Sequence, residues 1–117
     1  MSEVNIFSTT FDAGADLRDK EGYFGRIHTD GSLILGTNGS KNIGVITQGG
    51  NLGEGCGVKV LGEDEVLCGE EITAGDKIAS DSNGKAKKAT ISDSISGVAR
   101  DSGAIGEFVT VILLPGV

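Results

Sequence analysis

The sequence predicts an all-β fold, a small barrel or sandwich of short strands with an internal duplication, and three observations predict it. First, residues 44–61, GVITQGGNLGEGCGVKVL, lie without a gap on residues 97–114, GVARDSGAIGEFVTVILL. Gly44/Gly97, Val45/Val98, Gly50/Gly103, Gly53/Gly106, Glu54/Glu107, Val58/Val111 and Leu61/Leu114 are identical, and Leu52/Ile105 and Val60/Leu113 are conservative. A fixed offset held through strand, turn and strand marks an internal repeat. Second, the 117 residues include 20 glycines against one proline and no tryptophan, a composition suited to tight reversals, bulges and close backbone approach. Third, no window of about eleven residues repeats apolar positions at helical spacing, whereas short alternating or apolar runs bounded by Gly, Asn, Asp and Ser recur throughout.

Taken in order, residues 1–12 read as a first strand or an extended arm that carries Val4, Ile6, Phe7 and Phe11 onto its own domain or a neighbour. An exposed apolar arm is otherwise an aggregation hazard. Residues 13–117 read as a single β-domain of two degenerate repeats, 13–62 and 66–117, small enough that the two share one core. Tyr23–Ile27 is a strand. Asp30-Gly31 and Asn38-Gly39 are hairpin signals around Leu33–Leu35, and Ile43–Thr47 enters the repeated phrase. Val58-Lys59-Val60 leaves it, and Gly62-Glu63-Asp64-Glu65 forms a short acidic joint between the repeats. In the second half Lys77–Ala79 is a strand, Ala86–Ile91 pairs back, Ile95–Ala99 enters and Phe108–Leu114 leaves. Pro115 ends the sheet. AGADLRDKEG from Ala13 matches AGDKIASDSNG from Ala74 loosely, which places an insertion in the first half near Ser32–Ser40.

Charge and composition exclude several functions. A net charge of −7 and a pI near 4.5 argue against nucleic acid as a partner, because phosphate binding needs Lys and Arg. Lys85, Lys87 and Lys88 are the only local exception, and at alternating strand spacing Lys85 and Lys87 share a solvated face. No apolar run approaches the ~18 residues of a membrane span, and the N-terminus lacks a signal pattern, so the reading is of a protein made and kept in the cytoplasm unless it leaves inside an assembly.

Little in the chain suggests chemistry. Cys56 and Cys68 read as two buried thiols rather than a disulfide framework. With one histidine and no CxxC there is no metal pattern, and no cofactor is expected. His28 stands without a nucleophile motif, which leaves a hydrolase built around it remote. The glycine-rich run Gly49–Gly57 is followed by a strand, not the helix a phosphate loop requires, so it is a turn. Asp81-Ser82-Asn83-Gly84 fits only the opening positions of a calcium loop and reads as a hairpin turn.

The second half carries a resemblance. Ile72–Asp76, then Ser80–Ala89 with its Asp81-Ser82-Asn83-Gly84-Lys85 hairpin, then Ile95–Ala99, then Gly103–Val111 follow the pattern "AGD, polar DxxGK hairpin, GVA strand, AxxGE and a valine-rich strand". In order and spacing this resembles the capsid decoration (cement) proteins of tailed bacteriophages. The resemblance implies a β-tulip fold and a non-enzymatic virion protein on the outer capsid surface, synthesised in the host cytoplasm. It also implies two partners, the major capsid protein and further copies of the chain, with a trimer favoured. Val4, Ile6, Phe7 and Phe11 are the candidate capsid or oligomer contacts, through strand addition. The alternative is a carbohydrate-binding β-module, for which Tyr23-Phe24 is the one aromatic pair to offer a sugar platform.

Overall fold

In the computed structural model, which describes residues 4–114, every regular element is a strand and all the strands belong to one curled antiparallel sheet. The strands are β1 (Val4–Asp12), β2 (Phe24–Ile27), β3 (Leu33–Leu35), β4 (Gly44–Gln48), β5 (Gly55–Leu67), β6 (Lys77–Ser80), β7 (Ala86–Lys88), β8 (Gly97–Ala99) and β9 (Phe108–Leu113). Their pairing order is β3-β2-β4-β5-β9-β8-β6-β7, with β1 also paired to β5. The strand-ending role read for Pro115 lies outside the described residues.

This order is one plan executed twice, since β3-β2-β4-β5 and β7-β6-β8-β9 are paired alike and meet where β5 and β9 run side by side. Loop hydrogen bonds repeat as well. Gly22 N–H donates to the Ile46 carbonyl as Gly75 N–H donates to Ala99, and Ile43 to Gly25 as Ser96 to Ile78. Upstream, Ala13 N–H donates to Glu54 as Cys68 does to Glu107, and Leu17 to Gly50 as Ile72 to Gly103. These bonds superpose residues 20–61 on 73–114 without a gap, and 12–17 on 67–72. The additional residues of the first half are therefore Arg18 and Asp19, and Asp19 has the one positive φ outside glycine among the described residues, 62°. The insertion expected at Ser32–Ser40 is not there. The loose match of Ala13 to Ala74 had aligned residues that the backbone keeps apart.

The acidic joint is likewise not a break. Gly62–Glu65 is the middle of β5, which pairs with β1 through Gly55–Glu63 and with β9 through Gly62–Leu67. One strand thus finishes the first half and begins the second. Glu63, Asp64 and Glu65 resemble a linker in sequence because charge there signals solvent, but their backbones are held in ladders on both sides of the joint and two of the side chains have cationic partners.

Two apolar clusters replace the single shared core. The first holds Ala13, Leu17, Leu33, Ile46, Cys56 and Val58. The second holds the matching positions Cys68, Ile72, Ala86, Ala99, Val109 and Val111, with Val66, Ile78 and Leu113. Phe24 and Val45 come from the first half yet belong to the second cluster. Successive strand residues face opposite ways. β4 can therefore give Ile46 to its own core and Val45 to its neighbour's, which is how the halves are joined.

Gly44 and Gly97 are required by this packing. A Cβ on Gly44 would strike the Lys59 carbonyl of β5, and one on Gly97 would strike the Ile112 carbonyl of β9. The entering strand of each half is pressed onto the leaving strand at the same place.

Candidate functional site

The predicted contact residues sit on β1, an edge strand. It pairs with β5 along one side, and among the described residues no strand pairs with the other. Val4 is 43 % exposed, Ile6 70 % and Phe7 52 %, while Phe11 packs against the first core. The register slips between Asn5 and Ser8, an irregularity that turns Ile6 and Phe7 outward instead of alternating them. An edge strand with exposed aliphatic and aromatic side chains invites pairing by another chain. Three of the four candidates are thus available, and Phe11 is structural.

The seam between the halves shows what such a surface does when it is covered. Phe24 and Val45 are fully buried, and Lys59, opposite Val45 on β5, is only 2 % exposed. The Lys59 ammonium is 3.4 Å from the Asp64 carboxylate and donates to the Glu63 carbonyl at 3.2 Å. Loop bonds complete the seam: Phe24 N–H to the Gly84 carbonyl, Gly39 N–H to Ser80, Ser94 N–H to Gly39, Leu67 N–H to Gly22, and Asn42 Nδ2 to Ser96 Oγ. The Ser80 hydroxyl donates to the Thr37 carbonyl. This contact is head to tail, since the first half uses Gly22, Phe24 and Gly39 and the second uses Leu67, Gly84 and Ser80, which are not matching positions.

On the second half the matching face is open. Lys77 stands where Phe24 does and is exposed, and Val98 and Ile112 take the places of Val45 and Lys59. Val4, Glu63, Ile112 and Val98 form one cross-strand row, so an exposed residue of β1 adjoins this face. Leu114 is 45 % exposed beside it.

Both hairpin tips that precede the leaving strands, 51–54 and 104–107, are built alike. Asn51 N–H donates to a Glu54 carboxylate oxygen at 2.6 Å, and Ala104 N–H to Glu107 at 2.8 Å. Gly53 and Gly106 take φ of 84° and 86°, and between glycine and the donor stands an exposed aliphatic side chain, Leu52 or Ile105. The glycine-rich run is thus a turn, as its following strand requires.

Groups with chemical potential are dispersed. His28 is exposed beside Asp30 and Thr29. Cys56 and Cys68 are free and buried in separate clusters, and burial pushes both thiols above their ordinary pKa, with nearby carboxylates adding to it. A cleft of about 210 Å³ is lined by Glu21, Gly22, Ile46, Thr47, Asp64, Glu65 and Phe108, without histidine, cysteine or a cation. Among the described residues, no His, Cys, Asp or Glu group of three or more is placed to hold a metal ion. Asp81 is occupied within its own turn, where its Oδ1 accepts from Asn83 and Lys85 N–H. Lys87 is not on a solvated face: its side chain is 15 % exposed and pairs with Asp93 at 3.1 Å, which alternation along a strand did not foretell. Phe24 is 0 % exposed, so Tyr23-Phe24 offers no aromatic platform for a sugar.

The chain is similar to a solved structure, the N-terminal base of the head fibre gp8.5 of bacteriophage phi29. The TM-score is 0.72 at 17 % sequence identity, over 95 % of this chain and 97 % of that one. At this identity the likeness establishes a shared fold. No family model and no curated protein sequence matches the chain.

Proposed function

We propose that the chain is a non-enzymatic structural protein of a phage virion, made in the host cytoplasm. It sits on the outer surface of the head and reinforces joints between major capsid subunits. The observation that carries this is the near full-length likeness to a phage head-fibre base. The cement-protein pattern of Ile72–Val111 points the same way from sequence. An acidic molecule also suits a position outside the shell, away from packaged DNA.

The protein acts as a homo-oligomer, with three copies favoured. The open face of the second half supports this, because its counterpart on the first half is the covered seam. A neighbouring copy's first half, presenting Ile27 and Gly31 where the second half presents Ser80 and Gly84, would dock on Val98, Ile112 and Leu114 as the halves dock internally. Ile27 is 48 % exposed and no atom lies near the Gly31 Cα on its side-chain face. Head-to-tail contacts of this kind form rings when the rotation closes. Val4, Ile6 and Phe7 are placed to extend the contact to a neighbour or to a capsid subunit by strand addition.

The test is size-exclusion chromatography with light scattering on the free protein, then after mixing with expanded, undecorated heads. Stoichiometric uptake with greater heat resistance of the heads supports the reading, and a protein that ignores them removes it. Deleting Met1–Phe11 is a poor probe, because it strips a strand from β5 and Phe11 from the first core. The double substitution Ile6→Ser, Phe7→Ser keeps the strand and should weaken uptake while leaving the circular dichroism spectrum unchanged.

A further inference from the structure

Ten large apolar side chains are exposed among the described residues, and the internal repeat sorts them. Ile27 has Ser80 as its counterpart, Ile91 has Asn38, Phe108 has Gly55 and Ile112 has Lys59. Leu114 has Leu61, which is partly buried, and Val4, Ile6 and Phe7 lie at and before the register slip in β1, where the correspondence with β5 ends. Only Leu52 and Ile105, 69 % and 72 % exposed, match each other as exposed apolar residues. The two halves have otherwise let their exposed apolar positions drift.

The tips retain more than this pair, but the rest has an internal reason. Gly53 and Gly106 are held by positive φ, and Glu54 and Glu107 by accepting the Asn51 and Ala104 N–H groups. Leu52 and Ile105 belong to neither apolar cluster, and a turn favours Asn, Asp, Gly or Ser at such a place. A branched aliphatic in that setting costs solubility and gives the fold nothing. What keeps it twice lies outside the molecule.

We infer that Leu52 and Ile105 are paired anchors, each inserted into an apolar pocket of a partner built from repeated subunits. A duplicated knob fits a partner that repeats its own pocket. Exposed Glu54 at the first tip and Glu107 at the second call for lysine or arginine around each pocket. This rests on the proposed function, in which the repeated partner is the shell of the phage head.

The experiment titrates expanded, undecorated heads with wild-type protein, Leu52→Asp, Ile105→Asp and the double variant, following bound protein by sedimentation. Each single substitution should weaken binding by about tenfold or more, as loss of a buried interface anchor does, and the double variant by more than either. Melting temperature and elution volume should be unchanged. Leu52→Ile with Ile105→Leu should bind as wild type, and Ile91→Asp, at an exposed residue whose repeat counterpart is the polar Asn38, should bind normally. Wild type failing to bind heads would remove the proposed function and this inference with it. Wild type binding while the double variant binds equally would overturn the anchors alone. So would a defect at one tip only, an equal defect in Ile91→Asp, or loss of the oligomer in place of loss of head binding.

Discussion

The two halves share a backbone plan, yet the same face is a core in one and a surface in the other. Phe24, Val45 and Lys59 are covered by the second half, whereas their counterparts Lys77, Val98 and Ile112 face outward. Strand pairing, turn glycines and the Gly44/Gly97 contact are therefore properties of the repeat, and burial of the outer face is a property of its neighbour. A side chain's role here depends on which copy of the plan carries it.

The largest expected difference follows at the first of these pairs. Phe24→Ala removes a fully buried ring from the second cluster and should destabilise by about 3–5 kcal/mol, as large-to-small aromatic core substitutions do. Lys77→Ala, at the same place in the plan, should change stability by less than about 0.5 kcal/mol. Urea unfolding of both variants measures it. Equal losses would mean that the outer face is buried in both halves, as it would be if oligomer formation covered Lys77 before unfolding began. Measurement across a hundredfold range of protein concentration separates the two cases.

Lys59 against Ile112 is the next comparison. Lys59→Ala leaves the Asp64 carboxylate, 14 % exposed, without its nearest cation, and breaking such a pair costs about 3 kcal/mol or more. Ile112→Ala removes a half-exposed side chain and should cost less than about 1 kcal/mol in the monomer. If restoring charge balance with Lys59→Met and Asp64→Asn together regains most of the loss, the pair matters through the charge left behind. Gly44→Ala and Gly97→Ala, by contrast, should each destabilise by a similar ~1–3 kcal/mol, because both add a carbon against a backbone carbonyl that cannot yield. Unequal values there would show that one hairpin relaxes where the other does not.

What the sequence disclosed is what both copies need. Gly44, Gly50, Gly53 and Glu54 recur at one offset because the turn and the close strand crossing demand them, and the strands follow from that phrase. What it hid depends on the neighbour. Nothing in the residues around Phe24 says that it faces another repeat's core, and Glu63-Asp64-Glu65 has the composition of a linker although β1 and β9 hold it as strand. Lys87 alternates as a solvated residue would, but Asp93, in the turn that follows its strand, folds back to pair with it. The insertion was misplaced because a short Ala-Gly match outweighed a hydrogen-bond pattern that only the folded chain displays. Of the candidate contact residues, Val4, Ile6 and Phe7 were legible as apolar side chains outside any core. Phe11, two strand steps further on, reads the same in sequence and is partly buried against the first core, which Ala13 and Leu17 help to form.

The subtlest comparison is between two turns that differ in one acceptor. Thr37 N–H donates to the Ser40 hydroxyl, and its counterpart Thr90 N–H donates to the Asp93 carboxylate. The Asp93 pKa is lowered, chiefly by the Thr90 backbone bond, then by the Thr90 hydroxyl and Lys87. A carboxyl whose pKa is lower folded than unfolded binds protons more readily when unfolded, so its contribution is complete above the unfolded value, near pH 4. It is lost as pH falls through the depressed folded value. Asp93→Asn should therefore lower the melting temperature at pH 7, and its gap from wild type should narrow toward pH 2. Ser40→Ala should leave a gap that does not change with pH, because no proton is exchanged there. A constant gap for Asp93→Asn would mean that the carboxylate serves only as a neutral acceptor does, and that charge at this seam adds nothing the first half lacks.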